Sequence, residues 1–172
     1  MRFGRVFYVI VLLICVFEAA RLWSITPAQM AAHFDILGNP DRFVPKAEFF
    51  WYQIQTMLVV VIVSLLPQIL FLVLPVSLIN MPNREYWLAP ERREGVMDRM
   101  SSFAAMMFGI ILLTIQAGFE ISAYANLRTP ILFNARLMLM VMAASFIAIG
   151  VLLFQLITSF RLPSSDNSAD PF

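Results

Sequence analysis

One stretch of the chain, between the first two apolar segments, concentrates side chains whose types could do chemistry. It holds the only histidine in the sequence, followed by two aspartates and a lysine. An imidazole beside carboxylates can exchange a proton or help to hold a metal ion. We disfavour a metal site, because Asp35 and Asp41 are the only obvious ligands that could join His33. We name this pattern the loop motif, and it consists of His33, Phe34, Asp35, Gly38, Asp41 and Lys46.

The residues around the loop motif favour a short helix. Thr26 can cap it, Pro27 suits the first helical position, and Gln29 completes a capping box three residues after the threonine. Gly38 then supplies a helix stop, and the Asn-Pro-Asp run at 39–41 forces a reversal. We therefore expect a short helix lying on the membrane surface, followed by a tight loop into the next apolar segment.

Three charged residues, Glu18, Glu120 and Arg136, fall inside apolar segments. An unpaired charge there is costly and usually faces the interior of the helix bundle. Their positions along their segments give them similar depths, so we expect them to converge into a buried network below the loop motif. Accessory partners in that network would be Gln116 and either Arg21 or Arg128. Such a network either links helices structurally or handles protons and small solutes.

A second polar segment, 80–95, separates the second and third apolar stretches, and we name it the elbow. Its charges of both signs alternate with aromatic residues and prolines, which is typical of a connector lying at the headgroup level. Pro90 followed by Glu91 predicts the start of a helix. The elbow is either a surface connector or a docking site for a cytoplasmic protein. Its characteristic residues are Asn83, Tyr86, Trp87, Pro90, Glu91, Arg92 and Arg93.

The composition assigns the chain to the membrane proteins. Of its 172 residues, 60% are hydrophobic and only 13% are charged, whereas a soluble domain carries about 25% charged residues. The formal net charge of +1 gives no basic field for nucleic acid. A membrane-crossing helix needs about 20 apolar residues. The four stretches that qualify are about 6–23, 49–79, 102–124 and 131–160.

We therefore predict an all-α integral membrane four-helix bundle, with a short extracytoplasmic helix and loop between spans one and two. Residues 1–161 form one domain, and 162–172 form a disordered cytoplasmic tail. The first span has the length of a signal-peptide core, but the charges after it favour an uncleaved anchor. With both termini in the cytoplasm, seven Lys and Arg residues lie inside and five outside. Small residues at Ala105 and Gly109, and at Ala144 and Ala148, predict that spans three and four pack together.

The loop motif resembles a known family, domain of unknown function 1648, which comprises small bacterial membrane proteins and the N-terminal part of sporulation-delaying-protein immunity proteins. The elbow also resembles the connector of some members. The resemblance implies a multi-pass protein of the bacterial inner membrane without assigned catalytic activity. We expect a binding, immunity-like or regulatory component acting through the loop motif, with the lipid bilayer and a membrane or envelope protein as partners. The alternative is a small proton- or solute-coupled transporter that uses Glu18, Glu120 and Arg136. We expect no enzyme, cofactor or metal.

Overall fold

The described residues form four long helices, one short helix and a two-stranded sheet. The computed structural model describes residues 3–73, 75 and 78–162, apart from the side chains at positions 68, 71 and 72. The elements in chain order are α1 (Phe3–Ile25), β1 (Gln29–Phe34), β2 (Pro40–Pro45), α2 (Lys46–Val73), α3 (Arg84–Trp87), α4 (Pro90–Ala125) and α5 (Ala135–Ser159). Helices α1, α2, α4 and α5 each contain a segment long and apolar enough to cross a membrane. The chain is therefore a helical, multi-pass membrane protein.

The helix boundaries agree with the predicted spans in position but differ at several ends. Helix α2 continues through Pro67 and is described as far as Val73, and residue 79, the predicted limit, lies outside any helix. Helix α4 begins at Pro90, as the elbow predicts, because the first turn does not require the missing N–H of proline. It then runs unbroken into the third span. The predicted disordered tail lies, except for residue 162, outside the described residues.

Helix α4 is the central helix, against which the other long helices pack. Helices α1, α2 and α5 each pack against it, and in the described part of the chain α5 contacts no other long helix. The predicted pairing of spans three and four is confirmed, but Gly109 serves another contact. Gly109 faces the ring of Phe7, with its hypothetical Cβ 2.6 Å from Phe7 Cε1. Gly109 on α4 therefore allows α1 to approach closely, whereas α5 has no buried residue.

A β-hairpin occupies the segment for which we predicted a surface helix. Strands β1 and β2 pair antiparallel, with irregular register around His33. The capping prediction was wrong because Thr26 ends the preceding helix instead of beginning a new one. Its hydroxyl and its backbone N–H both donate to the carbonyl of Leu22, at 2.8 and 3.0 Å. The chain then leaves α1 in an extended conformation, which strand pairing stabilises.

Candidate functional site

The hairpin lies across one end of the helices and is fixed there by Asn126. This buried residue follows the last turn of α4, and its side chain binds both backbone groups of Ala31. The N–H of Ala31 donates to Asn126 Oδ1 at 2.6 Å, and Asn126 Nδ2 donates to the carbonyl of Ala31 at 3.0 Å. The amide thus satisfies the outer edge of β1, as a third strand would. Sequence reasoning missed Asn126, whose only signal is an amide side chain at a helix end.

Two residues of the loop motif form a pair on the exposed face of the hairpin. Nδ1 of His33 lies 2.6 Å from Oδ1 of Asp41, on the neighbouring strand. Both side chains are open to solvent, at 68% and 47% exposure. This exposure leaves the pair available to a ligand. In the described residues no group of three or more metal-binding side chains occurs.

Two further residues of the loop motif, Lys46 and Gly38, hold the hairpin in place. Lys46 Nζ donates to the carbonyls of Trp23 and Thr26, at 3.1 and 3.2 Å. These bonds link the start of α2 to the C-terminal end of α1. Gly38 adopts a φ of +89°, and a Cβ at this position would lie 2.6 Å from the carbonyl oxygen of Phe133. The carbonyl of Gly38 in turn accepts the N–H of Phe133 at 2.9 Å. Glycine is required here for both the turn and the close approach.

The turn at the hairpin tip is organised by the carboxylate of Asp35. It accepts the backbone N–H groups of Leu37 and Asn39, at 2.9 and 2.8 Å, and the side-chain amide of Asn39 at 3.0 Å. These bonds, with the Asn39 side chain contributing most, hold the pKa of Asp35 below its usual value. A depressed folded-state pKa means that the charged carboxylate stabilises the turn at neutral pH.

We expect the hairpin tip to loosen only in strong acid. The stabilisation from Asp35 is present above its unfolded pKa of about 3.9 and is lost as the pH falls through the lower, folded value. Carboxyl ¹³C NMR in micelles should show Asp35 titrating below free aspartate, with faster amide exchange at Leu37 and Asn39 as it protonates. Asp35→Asn is the control, because its tip should show no such pH dependence. Titration of Asp35 at or above the free value would contradict the assignment.

An apolar cavity of about 710 Å³ lies beneath the hairpin, between α4 and α5. Residues of the loop motif form its roof, and Phe49 of α2 contributes to a wall. The rings of Phe34 and Phe133 stack at one edge, with centroids 5.1 Å apart. Its volume falls in the usual range for ligand sites, about 300–1,000 Å³. Its lining includes His33, Phe34, Asp35, Ile36, Phe119 and Met138.

The three predicted intramembrane charges are not joined by ion pairs. Glu18 pairs with Arg21, one turn along the same helix, at 2.5 Å. Among the described residues, no ion pair links Glu120 or Arg136 to each other or to Glu18. Arg136 is exposed in the first turn of α5, because that helix begins at Ala135, later than predicted. The three charges are therefore not joined to one another in the described residues, although Arg21, one of the two predicted accessory arginines, pairs with Glu18.

Glu120 instead ends a chain of side-chain hydrogen bonds that runs from Gln53 on α2 through Gln116 on α4. Gln53 Nε2 donates to Gln116 Oε1 at 2.9 Å, and Gln116 Nε2 donates to Glu120 Oε1 at 3.0 Å. Gln53 and Gln116 are fully or almost fully buried. The predicted partnership of Gln116 with Glu120 is thus confirmed. Gln53 Oε1 has no hydrogen-bond partner in the described part of the chain.

Residues of the elbow donate hydrogen bonds to the C-terminal end of α5. Asn83 Nδ2 and Trp87 Nε1 both donate to the carbonyl of Phe160, each at 2.9 Å. The guanidinium of Arg92 lies 4.1 Å from the centre of the Tyr86 ring. These contacts satisfy a terminal helix carbonyl and support the interpretation as a surface connector. Pro90 begins α4, while Glu91 and Arg93 are exposed.

Comparison with known proteins identifies one segment. A family model described as a domain of unknown function, DUF1648, matches residues 9–57. This segment includes most of α1, the whole hairpin and the beginning of α2, so it contains the entire loop motif. The resemblance to this family is thereby confirmed. No curated protein and no solved structure matches the chain, and the resemblance to immunity proteins is not confirmed.

Proposed function

We propose that this chain, which carries a DUF1648 segment, is a binding component of the bacterial inner membrane, with a regulatory or immunity-like role. Both termini face the cytoplasm in this proposal, so the hairpin lies on the extracytoplasmic side. The cavity beneath the hairpin receives an apolar peptide segment of a membrane or envelope protein. The observation that carries the proposal is the position of this cavity, which is roofed by residues of the loop motif.

The cavity is suited to a peptide segment with an apolar body and a polar flank. Phe34, Phe119 and Met138 offer apolar and adaptable walls. The exposed Asp35 and the His33–Asp41 pair lie on the hairpin, where they can bind polar or basic groups of the ligand. Ile36 is 95% exposed beside the cavity, which gives a ligand a further apolar contact.

Site-specific photo-crosslinking in native membranes tests the proposal. A benzophenone amino acid at Ile36 should form an adduct with a peptide or protein chain. The same probe at Trp51 is the matched control, because Trp51 is also an exposed apolar residue but does not line the cavity. Gly118→Leu should reduce the Ile36 adduct at least about tenfold by filling the cavity, as a ligand that loses its apolar contact binds more weakly.

Gly118 suits this purpose because its added Cβ would meet only the Met138 side chain, at an ordinary distance of 3.5 Å. The variant should therefore fold while its side chain occupies the cavity. Adducts with lipid alone, or a protein adduct that Gly118→Leu leaves unchanged, would refute the assignment of a peptide to this cavity.

A further inference from the structure

A second, smaller cavity opens between the end of α4 and the beginning of α5. Its volume is about 310 Å³, and it is lined by residues distinct from those of the cavity beneath the hairpin. The lining is amphiphilic. Its polar members are Glu120, Tyr124, Arg128 and Asn134, and its apolar members include Leu137 and Val141. A ligand of this cavity therefore needs both a polar and an apolar part.

Arg128 is the positive charge at this cavity, and it has no ion-pair partner among the described residues, although Glu120 lines the same cavity. Arg128 is exposed, and its guanidinium forms no hydrogen bond or ion pair with the described residues. Asn134 uses its side-chain oxygen to cap α5, accepting the N–H of Leu137 at 3.0 Å. Its amide donors have no protein partner in the described part of the chain. The mouth of the cavity thus offers a guanidinium and an amide to an anion such as a phosphate.

The polar and apolar groups follow one another along the helices. Arg128 lies beyond the end of α4, whereas Leu137 and Val141 lie two and six residues after the start of α5, about 3 and 9 Å along it by helix rise. Leu137 and Val141 extend the lining along α5 in the same direction. A glycerophospholipid presents its groups in the same order: a phosphate, then an acyl chain. Because α5 contacts only α4 among the described long helices, surrounding lipid can reach this side.

We propose that this cavity binds a glycerophospholipid from the leaflet on the hairpin side. The phosphate lies at Arg128 and Asn134. The acyl chain follows Leu137 and Val141. The inference is independent of the peptide site, since the two cavities share no lining residue.

Phospholipid retention by the purified full-length chain tests this proposal. The protein is extracted in a mild detergent, washed with a stepwise excess of detergent, and analysed by native mass spectrometry. The intact chain should retain one phospholipid. Arg128→Gln should weaken retention at least about tenfold, as expected for the loss of a charge-assisted hydrogen bond.

Arg136→Gln is the matched control. Arg136 is also an exposed arginine near the same end of the bundle, but it does not line the cavity. Val141→Trp fills the apolar part without altering the charge, and it should also reduce retention. The proposal is overturned if Arg136→Gln lowers retention as much as Arg128→Gln does, if Val141→Trp has no effect, or if excess inorganic phosphate displaces the lipid completely.

Discussion

Asn126→Ala is expected to detach the hairpin from α4 and to cost about 2–6 kcal/mol of stability. The substitution leaves the N–H and the carbonyl of Ala31 without partners, although Ala31 is completely buried. Each orphaned buried group costs about 1–3 kcal/mol. No neighbouring side chain in the described structure already shares these bonds. Because the hairpin roofs the larger cavity, we also expect the Ile36 photo-adduct to be lost.

Two measurements check this expectation. Unfolding in mixed micelles of increasing SDS content gives the stability change, and amide hydrogen exchange shows whether the loss is confined to β1 and β2. Leu127→Ala is a suitable control, since Leu127 is the exposed neighbour of Asn126. Unchanged exchange in the hairpin of Asn126→Ala would show that the amide is not its anchor.

Gly4→Ala is expected to separate the beginning of α1 from α4, with a loss of about 3 kcal/mol, at the upper end of the usual range for overpacking. A Cβ at Gly4 would lie 2.0 Å from the carbonyl oxygen of Ser102. That atom belongs to the backbone of α4, so the strain cannot be relieved by a rotamer change. The Gly4 N–H would also lose its bond to Ser102 Oγ, now 3.1 Å long.

A series of glycine-to-alanine variants checks this expectation by SDS unfolding. Gly109→Ala should cost less than Gly4→Ala, because its Cβ would meet the ring of Phe7, a side chain that can turn aside. Gly150→Ala should be neutral or stabilising, because its Cβ would have no neighbour within 4 Å. If the three variants unfolded alike, the close approach of α1 and α4 would not limit stability.

The sequence was sufficient to predict features that depend on local composition. The four spans follow from apolar runs, and the start of α4 follows from the proline and carboxylate at Pro90 and Glu91. The hairpin could not be predicted in the same way. The capping signals at Thr26 and Gln29 are local, whereas strand pairing and the bonds from Asn126 join residues that are distant in sequence.

The partners and the helix positions of the charged residues were also only partly predictable from the sequence. Glu18 and Arg21 lie three residues apart on one helix, and this spacing alone allows them to pair. The prediction named Arg21 only as one of two possible accessory partners in a network that joins different helices. Arg136 lies in the first turn of α5, because the helix begins at Ala135, four residues after the start of the apolar run at Ile131. The residues before α5 contact the hairpin through Phe133, and Asn134 caps the helix.

The central position of α4 has a consequence for biogenesis. Helices α1 and α2 touch each other far less than each touches α4, and α5 packs on α4 alone among the described long helices. The first two spans therefore lack a stable partner when they leave the ribosome and enter the bilayer. We therefore expect assembly to be completed only after α4 is inserted, and the hairpin to be anchored only after Asn126, at the far end of that helix, has been synthesised.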